Sequence, residues 1–113
     1  MRILAGIAKS LQLFFVLLTF TCTWAHAGEV LEVSINKMQF TPQKIQVKAG
    51  TTVKWLNNEK RTNHSVFFEQ EGLPESDRLF PGESWQRTFD KPGTYPYRCG
   101  PHPEMTGVVE VAE

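Results

Sequence analysis

The segment at residues 97–107, YRCGPHPEMTG, places a cysteine, a histidine and a methionine within seven positions. Prolines stand on both sides of the histidine, and each fixes its own backbone φ at about −65°. A thiolate, an imidazole and a thioether at this spacing are ligands that suit a soft metal ion. The spacing therefore predicts a stiff metal-binding loop that carries Cys99, His102 and Met105.

The N-terminal residues have the features of a secretory signal peptide. Arg2 and Lys9 form a positively charged region before an apolar stretch, LQLFFVLLTF, and residues 25–27, AHA, match the small-x-small cleavage pattern. The stretch is shorter than the roughly 20 apolar residues that a membrane-spanning helix needs, which makes a retained anchor the less favoured interpretation. We expect residues 1–27 to be removed after Ala27, leaving a periplasmic domain at residues 28–113 without stable membrane insertion.

Cleavage changes the inventory of residues that can do chemistry. The mature domain has ten basic and twelve acidic residues, a net charge of −2, and therefore no basic excess for binding nucleic acid. It retains one cysteine, Cys99, and two histidines, His64 and His102. A single cysteine cannot form an internal disulfide, which leaves a free thiol, an intermolecular bridge or a metal ligand. A domain this small has a limited hydrophobic core, and a bound metal ion is one way to stabilise its fold.

Short stretches with alternating apolar and polar residues run through the mature domain, separated by turn-forming residues. They are EVLEVSI, KIQVKAG, TTVKWLNN, HSVFFEQ, ESWQRTF, GTYPYRC and TGVVEVAE. Seven or eight strands at this spacing predict an all-β fold, an antiparallel β-sandwich with Greek-key connections. Pro96 cannot donate to a sheet ladder, so its strand should be an edge strand, bulged or locally unpaired.

The same alternation predicts where the ligands lie. His64 begins the inward face of HSVFFEQ, and Cys99 ends the inward face of GTYPYRC, so both should lie at one end of the sandwich. His102 and Met105 are on the loop that leaves Cys99, which brings four possible ligands together. A His₂Cys set with a weak axial methionine is typical of blue-copper electron-transfer sites.

The motif CGPHPEM, with His64 lying 35 residues before Cys99, resembles the ligand motif of the cupredoxin family. Its Cys-x₂-His-x₂-Met spacing is most similar to that of amicyanins, and less so to plastocyanins and pseudoazurins. The stretches MQFTPQKIQVKAGTTVKW and PGTY are also similar to segments of that family. The resemblance implies a cupredoxin-like sandwich that binds one copper ion through His64, Cys99, His102 and, axially, Met105, and that carries one electron at a time.

Two positions near the presumed ligands depart from the family pattern. Ser65 stands where amicyanin-like sequences have an asparagine that ties the two ligand loops together. We expect that tie to be weaker here or to be remade by the serine hydroxyl. Glu104 stands between His102 and Met105, at a position where the family tends to have an apolar residue. Neither departure removes a ligand.

Competing interpretations of the same residues are less favoured. Cys99 could be a buried free thiol, His64 a strand-end histidine, and Met105 a core residue. A cysteine protease is disfavoured because no Asn or Asp in the loop is placed to orient His102. A structural zinc site would use more thiolates or histidines, and a multicopper oxidase needs many further histidines.

The sequence thus favours a monomeric electron carrier, not an enzyme, acting between periplasmic redox proteins such as c-type cytochromes or a dehydrogenase. The alternative is a protein that buffers or delivers copper, although no Met- or His-rich tract supports it. Two further predictions concern packing. Trp55, Trp85 and Met38 should be core residues, and the acidic residues of one loop should form a solvated face: Glu69, Glu71, Glu75 and Asp77.

Overall fold

The computed structural model describes residues 28–113, and the predicted signal peptide at residues 1–27 lies outside the described part. Seven strands follow one another there: β1 Val30–Asn36, β2 Gln39–Thr41, β3 Lys44–Lys48, β4 Thr51–Asn57, β5 Ser84–Phe89, β6 Gly93–Arg98 and β7 Thr106–Ala112. A short 3₁₀ turn, Glu69–Glu71, lies between β4 and β5. In this part of the chain, no helix has the length and apolarity needed to cross a membrane.

The strands form two sheets, with the orders β2-β1-β4-β5 and β3-β7-β6. The chain passes from one sheet to the other after β2, after β3 and after β5. The predicted all-β sandwich of seven or eight strands is therefore confirmed. The purely antiparallel arrangement is wrong, because β1 pairs with β4 and β3 pairs with β7 in parallel. Alternation specifies which face of a strand is buried, and it carries no information on the direction of the neighbouring strand.

The core lies between the sheets, and Trp55 of β4 is at its centre. Trp55 is fully buried, with its ring centroid 5.3 Å from that of Tyr97, 5.5 Å from Trp85 and 5.9 Å from Phe68. Aromatic pairs at such distances add about 0.5–1.5 kcal/mol each beyond the burial of their area. The prediction that Trp55 and Trp85 belong to the core is confirmed, with Trp85 partly buried against it.

The strand that leads to the presumed ligand loop is an edge strand. In the order β3-β7-β6, β6 has a neighbour on one side only, and Pro96 lies opposite Val108 of β7. An edge position tolerates proline because one side of the strand needs no donor. The prediction that the strand containing Pro96 is an edge strand is thus confirmed.

The stretch HSVFFEQ does not form the predicted strand. It makes two isolated bridges, His64 with Leu79 and Phe67 with Arg98, before the 3₁₀ turn begins. It bonds to a different segment at each bridge, so no ladder propagates along it. The inward residues predicted from the alternation are nevertheless buried, since Phe68 is 2% exposed and His64 is inaccessible.

One packing prediction is wrong. Met38 is 38% exposed, because it occupies the turn between β1 and β2, where it and Lys37 both have positive φ. The acidic loop is exposed as predicted, but three of its carboxylates are ion-paired with arginines. The pairs are Glu69 with Arg98, Glu71 with Arg87 and Glu75 with Arg78.

Candidate metal centre

Three of the predicted ligands meet at one end of the sandwich. The Nδ1 atoms of His64 and His102 lie 3.6 Å and 3.5 Å from the sulfur of Cys99. All three residues have a ligand atom within 4.8 Å of the others. His64 and Cys99 are inaccessible to solvent, and His102 is partly exposed. The convergence predicted from the alternation of strands is found, although His64 is not part of a strand.

Short backbone hydrogen bonds hold the loop between β6 and β7 in place. Cys99 follows β6 directly, and its N–H donates to the carbonyl of Met105 at 2.9 Å. The N–H of Met105 donates in turn to the carbonyl of His102 at 2.9 Å. Met105 is buried, at 3% exposure, immediately before β7. Main-chain hydrogen bonds and burial therefore fix the positions of all three presumed ligands in this loop.

His64 is held from the opposite segment. Its backbone exchanges two hydrogen bonds with Leu79, at 3.1 Å and 2.7 Å. The buried side chain of Asn57 donates to the carbonyls of Thr62 and Leu79, at 2.9 Å and 2.8 Å. Asn57 thus connects Thr62, which lies two residues before His64, to Leu79, the backbone partner of His64. Asn57 was missed from sequence, because its long-range partners cannot be recognised without the fold.

A carboxylate lies behind the His64 ring. Oε2 of Glu59 is 3.6 Å from Nε2, an atom that is buried and makes no hydrogen bond among the described residues. A proton on Nε2 is attracted by this carboxylate, which leaves the Nδ1 lone pair directed toward Cys99. Carboxylates orient metal-binding histidines in this way. Glu59 was missed from sequence because charged residues in loops carry no signal of their partners.

The electrostatics of the site favour uncharged side chains when no cation is bound. Burial lowers the pKa of His64, and the neighbouring His102 lowers it further. Burial raises the pKa of the Cys99 thiol, and the N–H of Ser65 partly opposes this shift. A soft cation that binds here displaces the thiol proton of Cys99 and finds the imidazole of His64 neutral. The donors therefore fit copper, which prefers sulfur and imidazole ligands.

Ser65 joins the two segments that carry the ligands. Its N–H points at the sulfur of Cys99, 3.4 Å away, and its hydroxyl accepts the N–H of Gly100 at 2.8 Å. Ser65 is fully buried. The expectation that the serine hydroxyl remakes the tie between the ligand loops is confirmed.

A β-sandwich that brings one cysteine and two histidines together at one end defines the cupredoxin class. The sequence profile described as "Copper binding proteins, plastocyanin/azurin family" matches residues 27–112. The chain belongs to this family of copper proteins, which confirms the resemblance and the copper cofactor predicted from the sequence.

Named relatives agree with this assignment. The chain is 40% identical to amicyanin-alpha of Methylorubrum extorquens over 91 residues, covering 77% of this chain and 75% of that protein. It is 37% identical to amicyanin of Paracoccus denitrificans over 89 residues, covering 75% and 67%. A solved Cu(I) form of an amicyanin variant superimposes with a TM-score of 0.70 at 33% identity, covering 78% of this chain and 87% of the other.

A first prediction follows from the tie made by Ser65. In Ser65→Ala the N–H of Gly100 loses its acceptor, which should lower the free energy of unfolding by about 1–3 kcal/mol. The loosened loop should also release copper faster to a chelator. Ser76→Ala is a matched control, because its hydroxyl accepts the N–H of Val66 at 2.8 Å but makes no bond to the loop that carries Cys99. Equal release rates from the two variants would show that Ser65 does not hold the loops together.

Proposed function

We propose that His64, Cys99, His102 and Met105 bind one copper ion, and that the protein carries single electrons between redox partners in the periplasm. The observation that carries the proposal is the meeting of two Nδ1 atoms and one sulfur in a buried site. Met105 is the fourth ligand because it is buried on the same loop and bonded through its main chain to Cys99 and His102. Copper, when bound, supplies one-electron chemistry through its Cu(I) and Cu(II) states.

The protein's part in this function is to hold the ligands still. Backbone bonds fix the positions of Cys99 and Met105, and Ser65 fixes the peptide that follows the cysteine. Pro101 and Pro103 restrict the backbone on either side of His102. A donor set that does not rearrange between two oxidation states costs little energy to reorganise, which suits rapid electron exchange.

Burial assigns the route by which electrons enter and leave. His64 and Cys99 are inaccessible, whereas His102 is partly exposed, so His102 offers a partner the shortest path to the site. One electron arrives from a reduced partner and leaves to an oxidised one. The partners that we propose are c-type cytochromes or a dehydrogenase. The relatives named amicyanin and plastocyanin support a carrier that is not an enzyme.

The same fold also occurs as part of a larger enzyme. A copper-containing nitrite reductase from Thermus scotoductus matches with a TM-score of 0.68 at 29% identity, but this chain covers only 22% of it. Residues 28–113 hold one group of His, Cys and acidic side chains able to bind a metal. The single group supports a carrier in preference to such an enzyme, and we propose that residues 1–27 direct its export and are removed after Ala27.

The binding of copper by Cys99 can be tested by colour. Cys99→Ser should abolish the strong visible absorption that a thiolate bound to Cu(II) gives, because this absorption requires a sulfur ligand and serine has only an oxygen. Circular dichroism of the copper-free variant should still show a folded β-sandwich. A variant that remains intensely coloured would contradict the assignment. Rapid loss of copper from the wild-type protein to a chelator would favour copper buffering or delivery over electron transfer.

The role of Met105 can be tested by the reduction potential. Met105→Gln should lower the potential, because a harder oxygen ligand favours Cu(II). Met105→Leu should raise it, because loss of the fourth ligand favours Cu(I). Met38→Leu is the control, since Met38 lies in an exposed turn. If both variants at position 105 match the wild type, Met105 is not a ligand.

The partner's charge can be tested at Glu104, an exposed residue two positions after His102. Glu104→Gln should slow electron transfer to a basic cytochrome about two- to fivefold at low ionic strength and flatten its salt dependence, because a rim charge acts on association. Glu29→Gln is a charge-matched control, since Glu29 precedes β1 and bonds through its carbonyl to Thr52, away from the ligand loop. Stopped-flow rates with identical salt slopes for all three proteins would remove Glu104 from the docking surface.

A further inference from the structure

Arg98 makes contacts that the ligand set does not explain. It precedes Cys99, and its Nη1 donates to the carbonyl of Cys99 at 3.0 Å and to that of Gly100 at 3.1 Å. These carbonyls belong to the two successive peptide groups through which the chain leaves Cys99 toward His102. One guanidinium therefore holds the backbone between two presumed copper ligands.

The guanidinium is itself held by the segment that carries the other histidine. Its Nε donates to Glu69 at 2.9 Å, and its Cζ lies 4.8 Å from the ring centroid of Phe67. The main chains of Arg98 and Phe67 exchange hydrogen bonds of 3.1 Å and 2.8 Å. Phe67 and Glu69 follow His64 and Ser65 within five residues. Arg98 thus joins the two ligand-bearing segments through both its main chain and its side chain.

The peptide that Arg98 holds is constrained from its other sides as well. The N–H of Gly100 donates to Ser65, and a Cβ on Gly100 would overlap the carboxylate of Glu75. Glu75 is kept in place by Arg78 at 3.1 Å. A surface ion pair alone contributes little to stability, and it needs no contact with the main chain. The two carbonyl contacts of Arg98 therefore call for a role beyond its pair with Glu69.

We propose that Arg98 is a positioning residue for the copper centre that also raises its reduction potential. This inference rests on the proposed function. The two hydrogen bonds from Nη1 to the carbonyls fix the backbone that follows Cys99. The fixed positive charge favours the state with one more electron, because adding an electron lowers the positive charge of the centre. In that step a reduced partner loses one electron and the copper centre gains it, while Arg98 keeps its protons and its charge.

Two substitutions in the copper-loaded mature protein separate the effect of the Arg98 charge from the effect of its hydrogen bonds to the two carbonyls. Arg98→Gln should shift the reduction equilibrium toward Cu(II) about three- to tenfold, equivalent to a potential lower by about 30–59 mV at 59 mV per tenfold change. Arg98→Lys keeps the charge and should restore the potential. Lysine has one terminal nitrogen, so it cannot pair with Glu69 and also hold the two carbonyls, as the separate Nε and Nη1 atoms of Arg98 do.

The effect of Arg98 on the order of the loop backbone is measured in the copper-free protein. Hydrogen exchange of the Gly100 amide in the copper-free protein should become at least about threefold faster in both Arg98 variants, because the loop opens more often. Exchange of a core amide in β4, such as that of Trp55, reports whether the whole fold has been destabilised. A faster exchange rate at the Gly100 amide alone supports the proposal. Equal rises at both amides, or none at Gly100, contradict the proposed hold.

Two further variants complete the design. Glu69→Gln removes the negative partner and leaves Arg98 on its carbonyls, so it should raise the potential. Lys48→Gln removes one positive charge at the end of β3 away from Cys99, and its potential should match the wild type. If Arg98→Gln and Lys48→Gln have the same potential, the charge of Arg98 has no role. Should Arg98→Gln fail to fold, an unchanged potential in Glu69→Gln overturns the proposal.

The failure of this inference can be told from a failure of the proposed function. A wild-type protein without thiolate-to-copper absorption or reversible one-electron cycling contradicts the function itself. A wild-type protein that cycles normally, with Arg98 variants unchanged in potential and in Gly100 exchange, contradicts only the role of Arg98.

Discussion

The metal centre depends on hydrogen bonds between two segments that are distant in sequence, residues 64–67 and residues 98–100. Ser65 bonds to the sulfur of Cys99 and to the N–H of Gly100, and Phe67 and Arg98 exchange two main-chain bonds. Without these bonds the imidazole of the first segment and the thiol of the second would have no fixed separation. The ligand geometry is thus a property of the contact between segments, and the sandwich holds the two segments at one end.

Hydrogen bonds alone would not keep the loop between β6 and β7 ordered. Fixing the backbone of one residue costs about 1–2 kcal/mol, whereas one hydrogen bond contributes about 0.5–1.5 kcal/mol. Two features reduce this deficit. Pro101 and Pro103 have less conformational freedom to lose, and burial of Met105 contributes about 1.5–3 kcal/mol. A buried methionine therefore stabilises the loop whether or not its sulfur binds a metal.

The candidate ligands and the fold class could be predicted from the sequence because both depend on local patterns. Cys99, His102 and Met105 lie within seven residues, and His64 was the one remaining histidine of the mature domain. Alternation identified the buried faces of most strands. It did not give the parallel pairing of β1 with β4, and it did not distinguish a strand from the isolated bridges of HSVFFEQ. These features depend on partners far away in the chain.

The residues that sequence reasoning missed share one property. Glu59, Asn57 and Arg98 act on the ligands through groups that are distant or belong to the main chain. A carboxylate in a loop or an arginine at the end of a strand has many possible uses, and only the fold selects one. The site also shows why such support is needed. Burial favours a neutral imidazole at His64 and a protonated thiol at Cys99. The side chains therefore do not attract one another strongly, and their arrangement before a cation binds must come from the surrounding hydrogen bonds.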